Sequence, residues 1–139
     1  MFQYKGCRYR FVIQKHVSER AGLHYDIRLE GKSGGRCVLI SFAARHVPRL
    51  VSGKASRIAI FRTDNHELSW MNFQGRIEQG YGKGTVEIWD RGTFEVLKQA
   101  PTHDVLRFHG KKMRGIYAIV KYGEDAYLLV RCKERQNAE

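Results

Sequence analysis

Fourteen glycines cut this chain into short segments, and most of those segments alternate apolar and polar residues at every second position. A period of two marks a strand with one buried face, so the chain is committed to sheet. Residues 24–30 show it best: Tyr25, Ile27 and Leu29 share one face, while His24, Asp26, Arg28 and Glu30 share the other. Further strands are expected at residues 8–15, 37–42, 57–62, 72–77, 85–89, 93–97, 105–109, 117–120 and 127–131. Turns are expected at Gly31-Lys32-Ser33-Gly34-Gly35 and Asp90-Arg91-Gly92. So many short strands predict a mostly β fold, an antiparallel barrel or sandwich. Helix is scarce. Residues 17–22 are expected to form one helical turn, and residues 45–56 to hold another. At 139 residues, without repeats, the chain reads as a single domain, 1–139, large enough for its own core.

Lysine and arginine number 25 against 14 acidic residues, a net charge of +11. Such an excess draws polyanions. It is scattered along strand-like segments rather than gathered in one block, which suits a folded surface that meets phosphates. Nucleic acid is the expected partner, although charge alone does not make an enzyme. No apolar run is long enough to span a membrane, and the first residues lack a signal-peptide pattern. The protein is therefore expected in the cytoplasm, away from membranes. Cys7, Cys37 and Cys132 have no CxxC spacing and are expected to be reduced, mostly buried thiols.

The chemistry centres on His24-Tyr25-Asp26-Ile27-Arg28. Strand geometry puts imidazole, carboxylate and guanidinium on one face, neighbours about 6–7 Å apart. His24 and Asp26 can bind one metal ion but supply only two ligands. His16 is the nearest third candidate in sequence. Two imidazoles and a carboxylate suit Mn, Fe or Zn, and leave positions open for water and substrate. Arg28 beside such a cation is suited to phosphate. The plainer reading is a polar strand face turned to water. His66, in the polar turn Thr63-Asp64-Asn65-His66-Glu67, could bind a phosphoryl oxygen or act as a general acid. Gly80-Tyr81-Gly82-Lys83-Gly84 lacks the spacing of a nucleotide-binding P-loop and reads as a tight connection, from which Tyr81 could stack on a base or sugar. His46, His103 and His109 have no supporting neighbours.

Taken together these residues resemble a known family. Phe11-Val12-Ile13-Gln14-Lys15-His16 followed by Leu23-His24-Tyr25-Asp26-Ile27-Arg28-Leu29-Glu30 is similar to the opening of the 3′-phosphoesterase module of bacterial DNA ligase D and its stand-alone bacterial and archaeal relatives. Ser56-Arg57-Ile58-Ala59-Ile60, Asp64-Asn65-His66 and the stretch from Gly82 to Thr93 resemble later motifs in the same order. The resemblance implies an eight-stranded antiparallel barrel-like fold with small flanking helices and a manganese site in its cavity, with Co²⁺ or another divalent transition metal as substitutes. It implies metal ligation by His16, His24 and Asp26, catalytic and phosphate-binding roles for Arg28, Arg57 and His66, and no organic cofactor. It further implies DNA repair by end healing: a 3′-ribonucleoside phosphodiesterase and a 3′-phosphomonoesterase acting on nucleic-acid 3′ ends, beside a separate ligase or polymerase.

Four departures from that pattern stand out. The turn between His16 and His24 is two residues longer, and one extra residue lies between Arg57 and His66, as a β-bulge would give. Trp70 stands where the family has a phenol, and Arg45 lies near the position of a missing basic residue. Two other classes stay open: a non-catalytic nucleic-acid-binding barrel using Arg28, Arg57 and Tyr81, and a docking module of an end-joining complex.

Overall fold

Strand alternation builds the core directly. In the computed structural model, which describes residues 1–51 and 56–134, nine strands and one 3-10 helix follow one another among the described residues. They are β1 (Arg10–Ser18), β2 (Gly22–Ser33), β3 (Arg36–Ala44), β4 (Arg57–His66), the 3-10 helix (Leu68–Asn72), β5 (Gly75–Ile77), β6 (Gly84–Ala100), β7 (His103–His109), β8 (Arg114–Lys121) and β9 (Ala126–Arg131). The order β1-β2-β3-β4-β9-β8-β7-β6 is antiparallel throughout and closes by pairing β1 with β6. This is an eight-stranded barrel, with β5 added along the first part of β6. Closure removes nearly all free edges.

The inward residues of each strand fill the interior. Phe11, Ile13, Tyr25, Ile27, Leu29, Phe42, Ile60, Phe108, Tyr117 and Leu129 form one buried cluster, with aromatic rings meeting edge to face. The barrel is thus a packed core rather than an open cavity, a correction to the expected site in its interior. The other face of β1–β3 carries a smaller cluster, Val12, Leu39 and Met71, where the 3-10 helix lies on the barrel's outside.

Several expectations change. The two predicted strands at 85–89 and 93–97 are one strand, β6, and Asp90-Arg91-Gly92 is no turn. Asp90 instead accepts the backbone N–H groups of Lys111, Lys112 and Met113, holding the β7–β8 turn in place. Gly92 lies against the backbone of His109, where a Cβ has no room. No α-helix flanks the barrel among the described residues. The β1–β2 ladder runs on to Ser18 and Gly22, leaving three residues for a turn, too few to nucleate a helix. Residues 45–50 are bends and coil, and 52–55 lie outside the described residues.

The cysteines also differ from expectation. Cys7 and Cys37 form a disulfide, and Cys132 is free and half-buried. The N-terminal segment bridges Lys32 through Gln3, and Lys32 pairs with Cys37 across the β2–β3 hairpin. That contact brings together two residues 30 apart in sequence, which spacing alone does not reveal. Among the described residues no helix is long and apolar enough to cross a membrane.

Candidate active site

Register places the key side chains. Across β1 and β2, His16 faces His24, Gln14 faces Asp26 and Val12 faces Arg28. These residues lie on the strand faces opposite the Phe11, Ile13, Tyr25 and Ile27 core, so the site lies on the barrel's outer surface. A cavity of about 500 Å³ opens there, lined on one side by His16, His24, Asp26, Arg28 and His66. Trp70 of the 3-10 helix and the Tyr81-Gly82 loop help to wall it.

The His16, His24 and Asp26 donors lie within 4.8 Å of one another, a grouping with no second example among the described residues. Asp26 Oδ2 is 3.3 Å from His16 Nδ1 and 3.3 Å from His24 Nε2. The far nitrogen of each ring meets a backbone carbonyl: His16 Nε2 lies 2.7 Å from Gly82 O, and His24 Nδ1 lies 3.2 Å from Gly22 O. A carbonyl can only accept, so each far nitrogen carries the proton. In a neutral ring the near nitrogen then turns its lone pair toward the carboxylate, and in a protonated ring its N–H donates to Asp26. With both rings neutral, three acceptors face one another and call for a cation, and carbonyl-anchored imidazoles are how proteins hold metal-ligating histidines. The set fits a divalent transition ion.

Electrostatics agree with the geometry. Burial pushes the Asp26 carboxyl up, but His16, His24 and Arg28 together hold it well below the usual carboxylate range. His24 is raised by its contact with Asp26, against the effect of burial. Arg28 is 5% exposed and lowered by burial, with Asp26 3.7 Å from Nη2 opposing that effect.

Arg28 is fixed on every side. Its Nε donates to Gln14 Oε1 at 2.7 Å and Nη1 to Ser41 Oγ at 2.9 Å. Fully buried Gln14 donates through Nε2 to the carbonyls of Trp70 and Phe73, joining Arg28 to the 3-10 helix. The Trp70 ring lies 5.6 Å from the guanidinium and meets His66 edge-on at 5.2 Å. Trp70 thus orients two site residues by packing, without a hydroxyl to offer.

The extra residue in β4 is a bulge. Ser41 pairs with Thr63, yet Leu39 pairs with His66, so β4 carries one residue more than β3 over that interval. In a regular strand His66 would face away from Thr63; the bulge brings both to the cavity. His66 Nδ1 lies 2.9 Å from Asp64 O and 3.0 Å from Arg28 Nη1, so it can satisfy only one of them in a given tautomer. Burial, then Arg28, lowers its pKa, which leaves the imidazole neutral near pH 7.

The other sequence candidates fall in different places. Arg45 and Tyr81 line the cavity, and Tyr81 is 67% exposed with the Arg20 guanidinium 5.8 Å from its ring. Arg57 is exposed at the start of β4 and is not among the lining residues. It is on the same strand face as Phe61, about 13 Å further along. His109 pairs with Glu95 away from the cavity. Sequence reasoning missed Gln14, Ser41 and the Gly82 carbonyl. Gln14 had a signal, as a polar residue in the same alternating row as His16; a backbone carbonyl has none.

Residues 14–121 match a family model described as the DNA Ligase D 3′-phosphoesterase domain. The chain is 34% identical to a multifunctional non-homologous end joining protein LigD of Mycolicibacterium smegmatis, over 93% of this chain and 18% of that protein. It is 36% identical to a multifunctional non-homologous end joining DNA repair protein LigD of Mycobacterium tuberculosis, over 91% of this chain and 16% of that protein. It is 32% identical to the LigD protein of Pseudomonas aeruginosa, over 90% of this chain and 15% of that protein. The chain therefore spans less than a fifth of the length of these relatives.

Proposed function

The chain belongs to the DNA ligase D 3′-phosphoesterase family, and from that membership we infer that it is a manganese-dependent hydrolase of phosphoesters at nucleic-acid 3′ ends. It removes a terminal ribonucleoside as a diesterase and a terminal phosphate as a monoesterase, leaving a 3′-hydroxyl. The names of its relatives, non-homologous end joining proteins, support a setting in DNA repair; a separate ligase or polymerase as partner and the cytoplasm as location belong to the same proposal.

One observation carries the reading: the ligand atoms of His16, His24 and Asp26 converge, with Arg28 3.7 Å from the same carboxylate oxygen. A divalent ion held by these residues supplies a Lewis acid for a phosphoryl oxygen. Arg28, already locked by Gln14 and Ser41, neutralises the remaining charge with no reorganisation at the moment of reaction. His66 enters as a neutral imidazole. An arriving phosphate dianion favours its protonation, and it then donates to the transferring group or the leaving oxygen. Arg45 and Tyr81 contact the substrate at the rim. The distance of Arg57 from the cavity suits a contact with the strand backbone rather than with the scissile phosphate.

The test is a labelled primer ending in one ribonucleotide, incubated with and without Mn²⁺. Shortening that requires metal, lost by about a hundredfold or more in His24→Ala while that variant keeps its fold, is the expected outcome. A gel shift with an unprocessed primer would leave the binding-barrel class in its place.

A further inference from the structure

Phe61 is 46% exposed in the middle of β4, on a face where a strand usually carries a polar residue. Its neighbour Ile60 is in the core, so alternation fixes Phe61 on the outside, lining the cavity. Its partners in the ladder are Ala43 on β3 and Ala126 on β9. Two methyl groups flank the ring and leave its face uncovered, and it meets no other aromatic ring among the described residues.

Register relates this ring to the metal group. Asp26 pairs with Ala43 and Ala43 with Phe61, so the three form one row across the sheet. Arg28, Ser41 and Thr63 form the next row. Two strand spacings put Phe61 about 10 Å from Asp26, with only the Ala43 methyl between them. That trough is about the reach of one ribose and its base from a phosphate seated at Asp26 and Arg28. Beside Phe61 the lining is Ala43 and Thr63, with Arg45 at the rim; with Arg45 engaged by phosphate, a methyl and one hydroxyl offer little to read base edges.

We propose that Phe61 is a stacking platform for the nucleobase on one side of the scissile phosphate, accepting purines and pyrimidines alike. The assignment rests on the phosphoesterase reading above. Tyr81, on the opposite rim beside His16, is placed to serve the other side. Stacking of this kind gives affinity without sequence choice.

The test uses the full chain with Mn²⁺ and primers ending in one ribonucleotide, in three forms: intact, abasic at the terminal position, and abasic at the penultimate position. Phe61→Ala is expected to lower kcat/KM on the intact primer by about five- to a hundredfold. The penalty should disappear on one of the two abasic primers, which identifies the stacked base, and Phe61→Tyr should restore wild-type behaviour. An F61A penalty that is absent, or equal on all three primers, overturns the stacking role while the hydrolase stands. Wild-type protein that leaves all three intact overturns the hydrolase reading and this proposal with it. Thermal unfolding of F61A separates a lost contact from lost structure.

Discussion

Burial makes a charge at Asp26 costly, and two histidines and an arginine keep the carboxyl ionised regardless. The balance fixes how neighbouring groups titrate. In metal-free protein His24 should titrate above its ordinary 6.5, and Asp26→Asn should bring it down. A raised histidine stabilises the fold below its unfolded value and loses that contribution as pH climbs through the folded one. His66 runs the other way: its lowered value penalises the folded state as pH falls below the ordinary histidine range. Two-dimensional NMR of the imidazoles reads both, and Mn²⁺ affinity should weaken as pH drops through the His24 midpoint, because proton and metal compete. Gln14 gives a second prediction. Gln14→Leu frees Arg28 Nε and two carbonyls of the 3-10 helix region, costing about 1–3 kcal/mol in chemical unfolding. Turnover should fall as well, by about tenfold or more, because Arg28 is no longer aimed. The alternating row His24, Asp26, Arg28 was legible because period two fixes a face. Gln14 was overlooked because a buried polar residue in that row looks like any solvent-facing one until the 3-10 helix covers it.

At the level of elements, strand number was nearly legible and strand ends were not. Asp90-Arg91-Gly92 has the composition of a turn, yet its acidic and glycine residues serve the neighbouring β7–β8 turn, a tertiary use that local chemistry cannot announce. The bulge before His66 was visible only as one residue too many, and its consequence, which face His66 takes, needed the β3 partner. Two glycines separate local strain from crowding. Gly35 has φ +79° in the β2–β3 turn with open space around it, so Gly35→Ala should cost about 1–2 kcal/mol. Gly84 has φ +151° and lies against the backbone of Val17 and Ser18, where β6 closes the barrel on β1. Gly84→Ala should cost about 2–4 kcal/mol in denaturant unfolding. It should also weaken Mn²⁺ binding, since displacing the start of β6 moves the Gly82 carbonyl that anchors His16. Equal costs at the two positions would show that the barrel closure tolerates displacement there.

Over the whole molecule, the 25 lysines and arginines overstate the cations free to meet a nucleic acid. Arg10, Lys15, Arg76, Lys83, Arg107 and Arg131 are each paired with a glutamate. The sequence could not show this, because Arg10 meets Glu30 and Arg76 meets Glu19 only through the barrel's register. Three cations are better placed: Arg28 in the cavity floor, shared with Asp26, and Arg45 at its rim and Arg57 further along β4, which have no acidic partner among the described residues. If these are the phosphate contacts, a plot of log affinity against log salt for a 3′-ended duplex should have a slope of about −3 rather than the −10 expected if every excess charge took part. Arg45→Ala and Arg57→Ala should each flatten that slope by about one. Their kinetics should then differ. Arg57 lies outside the cavity lining, so at saturating primer Arg57→Ala should turn over within about twofold of the parent, its loss confined to KM. A fall in kcat as large as that of Arg28→Ala would instead mean that the strand bends β4 toward the metal group on binding, bringing the distant guanidinium to the scissile phosphate.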